Sequence, residues 1–203
     1  MSPHREEELR VVTEAYAEAL SLDGSSRESI FKQAAQLLEH FQGIVCQDAD
    51  RYVEKSAWRR FVKLVREHMA EGLPEANART QHILISRIGN LTNLSFRSRI
   101  EQLFRRLPLV RLMPLIGNPR DLDFFLERFL PQLEATRNYL THFDSEEAKN
   151  AFPKEELEEA VLQCWAVLTF WLANALGIDE QRAGSMAHKA RRAMFLVDRG
   201  APL

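Results

Sequence analysis

The residues best suited to chemistry form one run, Arg137-Asn138-Tyr139-Leu140-Thr141-His142-Phe143-Asp144. At about 100° per residue, with Arg137 at zero, Thr141, Glu134, Asn138 and His142 fall at about 40°, 60°, 100° and 140°, while Thr136, Leu140 and Leu133 fall between about 260° and 320°. One face of the helix is therefore polar and the opposite face is core. An Arg and a His on one rigid face supply what RNA cleavage by its own 2′-hydroxyl needs: a group that moves protons near neutral pH and a fixed cation for the phosphorane charge. That route needs no metal and no cofactor. Asn138, one turn before His142, can orient the imidazole or hold a phosphate oxygen. A single His is less than the reaction wants, and two copies of the face across a symmetric dimer provide both an acid and a base.

The plainer reading of the same residues is a solvated helix end, with His142 near the last carbonyls and Arg137 paired to Glu134 three residues back. A second Arg and His pair, Arg182 and His188, lies about 240° apart on a continuous helix and reads as surface charge. Tyr139 and Thr141 flank the polar arc, and Tyr139 can stack on a base or pack half-buried. Asp144 either orients His142 or simply follows the helix end. Arg97, Arg99, Arg105 and Arg106 form a basic cluster, as do His188, Lys189, Arg191 and Arg192; either can follow a phosphate backbone or sit on a solvated face.

The elements that must position this face are helices. Glycine and proline, eight each, fall between segments whose apolar residues recur every three or four positions, and no strand pattern stands out. Expected helices run over about 6–22, from a Ser25 or Ser26 cap through Ile30, Ala34, Leu37, Leu38 and Phe41 with a bend near Gly43, over about 50–71, over about 75–88, and from Ser95 to the breaks at Pro108 and Pro114. Asn118 as cap and Pro119 at the first turn then start a segment to His142, which Pro131 should kink or split. An apolar helix from Pro153 closes at Gly177, and Asp179 caps a last one to about Leu196. The expectation is one all-α domain of seven or eight helices spanning 25–203, with residues 1–24 as an N-terminal helical extension.

Composition narrows the function. The chain has 203 residues with 27 Lys plus Arg against 29 Asp plus Glu, a net charge of −2, 45% hydrophobic residues and two cysteines. These values exclude a disordered chain, a collagen-like repeat and a disulfide-stapled miniprotein. Cys46 and Cys164 have no second Cys or His at ligand spacing, so no metal site is expected. A polar, acidic start lacks the features of a secretory signal, which points to the cytoplasm. The apolar stretch 160–177 carries Gln163, Thr169 and Asn174 and reads as a buried core or dimer helix, not a membrane span. Phosphate loops, nucleophile elbows and paired-histidine zinc helices are missing from the sequence.

The run from Arg137 to His142 resembles the active-site motif of the HEPN ribonucleases, an Arg, then a polar residue, then a His. The resemblance is closest to the ApeA-type HEPN domains: Arg137 to Asp144 is preceded by a helix beginning Ser95-Phe96-Arg97-Ser98-Arg99-Ile100 and followed by a long apolar helix. It implies an α-helical domain that dimerises so that two Arg/His faces form one cleft, with Arg137, Asn138 and His142 catalytic and Tyr139, Thr141, Arg97 and Arg99 touching RNA. It further implies metal-free cutting to a cyclic phosphate and a 5′-hydroxyl, and a role as a toxin or abortive-infection effector acting on tRNA. ApeA-type proteins normally carry a large N-terminal domain, for which this chain leaves room for only one or two helices; the expectation is a stand-alone relative or a fragment, and a regulatory domain or partner protein is the remaining candidate partner. The competing expectation is a catalytically silent HEPN-like module for binding or dimerisation within a larger defence protein.

Overall fold

A computed structural model describes residues 3–21, 26–46, 55–72, 83, 94–143 and 145–197. Every regular element among them is helical: α1 (Pro3–Ser21), α2 (Arg27–Val45), α3 (Lys55–Gly72), α4 (Phe96–Arg106), α5 (Leu109–Leu115), α6 (Leu122–His142), α7 (Ser145–Ala148), α8 (Lys154–Ala175) and α9 (Glu180–Val197). The all-α expectation holds. Of the helix expected over 75–88, only Ile83 lies among the described residues. The chain divides into two compact units, residues 1–45 with 96–203, and residues 46–95.

The larger unit is built around α8, whose long apolar run buries Leu157, Trp165, Leu168 and Phe170, among others. Its apolar residues face inward on nearly every side, and no helix among the described residues is long and apolar enough to cross a membrane. Helices α2, α5 and α9 pack against α8, and α1 packs against α2. The segment expected as an extension thus contributes Leu9 and Val12 to the same core. Tyr16 of α1 also hydrogen-bonds Thr169 of α8 through its hydroxyl at 2.6 Å.

Helix α6 packs against α2 and α4 through a second layer of the core, with Leu126, Phe129, Leu130 and Leu133 buried. It starts three residues later than Asn118 predicts. Asp121 is the cap, its carboxylate accepting from the Phe124 N–H at 3.1 Å, while Asn118 takes a left-handed conformation after α5. Pro131 does not split the helix: the apolar residues on both sides of it share one core, and that packing outweighs the lost backbone bond. The one-turn α7 had no counterpart in the sequence reading and, with α5, brings the helices among the described residues to nine.

Thr136 ties α6 to the start of α8. Its buried hydroxyl donates to the Gln132 carbonyl at 2.7 Å and accepts from the Phe152 N–H at 2.8 Å. Thr136→Val keeps the shape but leaves that N–H unpaired, so unfolding in urea should show a loss of about 1–3 kcal/mol; an unchanged midpoint would mean that the bond contributes nothing to stability. Cys164 is fully buried, and burial pushes its thiol up to about 12. With its thiolate disfavoured and its side chain out of reach of solvent, Cys164 should resist thiol reagents until the protein is unfolded, as mass spectrometry of labelled peptides would show.

The smaller unit is described through α3, an amphipathic helix whose Trp58 and Phe61 rings lie 5.0 Å apart. These are two of the apolar residues that the three- and four-residue spacing places on one face.

Candidate active site

The last two turns of α6 carry the candidate residues. The core face predicted from the helical wheel is the one observed: Leu133 and Thr136 are buried and Leu140 packs against the core. Arg137 is consequently turned toward the junction with α2 and α4, where its side chain is 27% exposed.

Three groups fix its guanidinium. Nη1 donates to the Asn138 Oδ1 at 3.1 Å, Nη2 donates to the Glu39 Oε2 at 3.4 Å, and the guanidinium carbon stands 5.4 Å from the centre of the Phe96 ring. The second oxygen of Glu39 faces Arg99 of α4 at 3.7 Å. One carboxylate from α2 therefore holds two arginines from two other helices. Both guanidiniums are planar donors of the kind that pairs with a phosphate. Arg137 turns to Glu39, not to Glu134 as the plainer reading of the sequence supposes.

Asn138 completes the arrangement. Its oxygen accepts from Arg137, and its amide nitrogen donates to the Glu147 Oε1 of α7 at 3.3 Å. Both ends of the amide are thereby assigned, and they orient Arg137 and not His142. His142 is the last residue of α6, is exposed, and makes no hydrogen bond or ion pair among the described residues. Five residues separate it from Arg137, about 7.5 Å along the axis and about 140° around it. Within one chain, therefore, His142 and the half-buried Arg137 do not occupy adjacent positions on the helix surface.

The remaining predicted residues divide. Tyr139 is 37% exposed and Thr141 half-buried, both on the last turns of α6. Arg97 is half-buried on α4, one residue from the Phe96 that Arg137 covers. Asp144 lies outside the described residues. Much of the wider basic surface is neutralised at home: Arg105 bonds Glu101 and Asp123, and Arg191 bonds Glu159 and the Pro114 carbonyl. Among the described residues, no three of His, Cys, Asp and Glu gather as metal ligands. A cavity of about 640 Å³, lined by Phe125, Phe129, Phe152 and Gln163 among others, opens elsewhere along α6 and contains none of the candidate residues.

Sequence reasoning singles out Arg137, Asn138 and His142 as candidates because one helix carries them. It missed Glu39 and Glu147. Glu147 stands among ordinary surface acids, and Glu39, 98 residues from Arg137, looks like any polar residue beside the buried Leu38.

The Arg137-Asn138 pair and His142 thus lie on a single helix of an all-α domain. The Apea-like HEPN family model matches residues 33–182, about three quarters of the chain, and the protein belongs to that family. HEPN domains are generally ribonucleases and the family is associated with defence. No curated protein and no solved structure matches the chain significantly.

Proposed function

We propose that the protein is a metal-independent endoribonuclease that acts on tRNA in the cytoplasm as a toxin or abortive-infection effector, working as a homodimer. The observation that carries this reading is the Arg137 guanidinium, oriented from three sides on the same helix as an exposed His142. In the reaction one His142 takes the proton from the ribose 2′-hydroxyl, whose oxygen attacks the adjacent phosphorus. The bond from phosphorus to the 5′-oxygen breaks, and a protonated His142 of a second copy supplies that oxygen with its proton. The products are a 2′,3′-cyclic phosphate and a 5′-hydroxyl end. Arg137 stabilises the extra negative charge of the phosphorane, and Asn138 holds Arg137 in place. Arg97, Arg99, Tyr139 and Thr141 are the surrounding contacts for the RNA.

Bulk tRNA incubated in excess EDTA with the wild type and with His142→Ala tests this directly. Fragments ending in cyclic phosphate should appear with the wild type alone, and a DNA oligomer of the same sequence should stay intact because it lacks the attacking hydroxyl. Absence of cleavage by both proteins, with tight retention of a partner, would instead make the domain a silent HEPN-like binding module.

A further inference from the structure

Phe143 closes α6 in a conformation that does not suit it. Its φ is 55°, in the left-handed region, and its N–H bonds the Tyr139 carbonyl at 2.7 Å to end the helix. Glycine is the usual residue there because a Cβ is crowded, and asparagine is tolerated. The chain follows this rule at its other left-handed positions among the described residues, which are Gly117, Asn118 and Gly177. Phe143 breaks it. Nor does burial compensate for the strain, since Phe143 is 81% exposed, more than any other large apolar side chain among the described residues. An aromatic ring has thus been placed in solvent, at a strained position, immediately after the exposed His142.

We propose that Phe143 is a specificity-determining residue that stacks on an RNA base beside the phosphate to be cut. The inference rests on the ribonuclease reading and adds to it a group that grips the base, where Arg137 and His142 act on the backbone. Strain held at a single exposed residue next to a site is a mark of function, because neither local geometry nor packing selects it. A flat ring offers every base a face, and the half-exposed Tyr139 of the preceding turn supplies a second aromatic edge.

The test uses an RNA oligomer methylated at every 2′-oxygen, which can bind but cannot be cut. Fluorescence anisotropy, thermal melting and sedimentation are recorded for the wild type, Phe143→Gly and Phe143→Trp. The Gly variant should bind about tenfold more weakly yet melt about 1–3 °C higher, because its backbone strain is relieved. The Trp variant should bind as the wild type does. Equal affinity of Gly variant and wild type would overturn the stacking role alone. A lower melting temperature together with a weakened dimer would overturn it in favour of a contact between copies. A wild type that neither binds the methylated oligomer nor cuts RNA would remove the ribonuclease reading and this inference with it.

Discussion

Arg137→Ala should slow cleavage of RNA about 100- to 1000-fold at saturating substrate, with little change in stability. The two halves of this expectation come from different parts of the site. The rate loss follows from the role of a fixed cation: a preorganised donor aimed at developing charge stabilises the transition state more than the ground state, so the change falls on kcat. The small stability loss follows from exposure. Arg137 and Glu39 are 27% and 28% exposed and 3.4 Å apart, and an ion pair of that kind contributes about 0–1 kcal/mol. Arg137→Lys should recover less than about a tenth of the lost rate, since an ammonium has one point of charge. It cannot donate to Asn138 and Glu39 together in one plane or lie flat against Phe96. Single-turnover cleavage of a defined RNA, with circular dichroism to verify the fold, measures both. Near wild-type rates for the Lys variant would show that only charge is needed at this position and that the three-sided fixation of the guanidinium is structural.

The sequence made some of this legible and hid the rest, for reasons that residues show. Features encoded within a few positions were readable. Gly177 ends α8 with a left-handed φ of 85°, and Asp179 caps α9 by accepting from the Arg182 N–H at 3.0 Å, both as their residue types predict. The polar and core faces of α6 followed from its periodicity. The start of α6 did not, because Asn118 and Asp121 are rival caps three positions apart and only the turn after α5 decides between them. Pro131 was overestimated as a breaker because local propensity cannot weigh a core that grips the helix on both sides. The same limit applies to the site. Arg137, Asn138 and His142 share a helix and show themselves as a spacing, whereas Glu39 and Phe96 reach Arg137 only through tertiary packing of α2 and α4. What the sequence showed was the candidate groups on one helix; what it could not show was how Arg137 is held.

That difference bears on how the site is completed. Attack by the 2′-oxygen and departure of the 5′-oxygen occur on opposite sides of the phosphorus, so one imidazole cannot serve both at once. Among the described residues His142 has no hydrogen-bond or ion-pair partner, and Arg137 lies about 7.5 Å and about 140° away from it along the helix. If a second copy supplies the other imidazole, a dimer with one altered chain is inactive. Wild-type protein refolded together with a ninefold excess of His142→Ala should then lose activity far beyond dilution. Random pairing leaves about one dimer in a hundred with two wild-type chains, so activity per wild-type chain should fall to about a tenth. Independent sites give no fall at all, since each wild-type chain keeps its own His142. Differently tagged chains, recovered as mixed pairs, verify that exchange took place, and sedimentation shows whether dimers persist at the assay concentration. A constant activity per wild-type chain in a verified mixture would place acid and base within one copy and would direct the search for the second proton carrier to that chain.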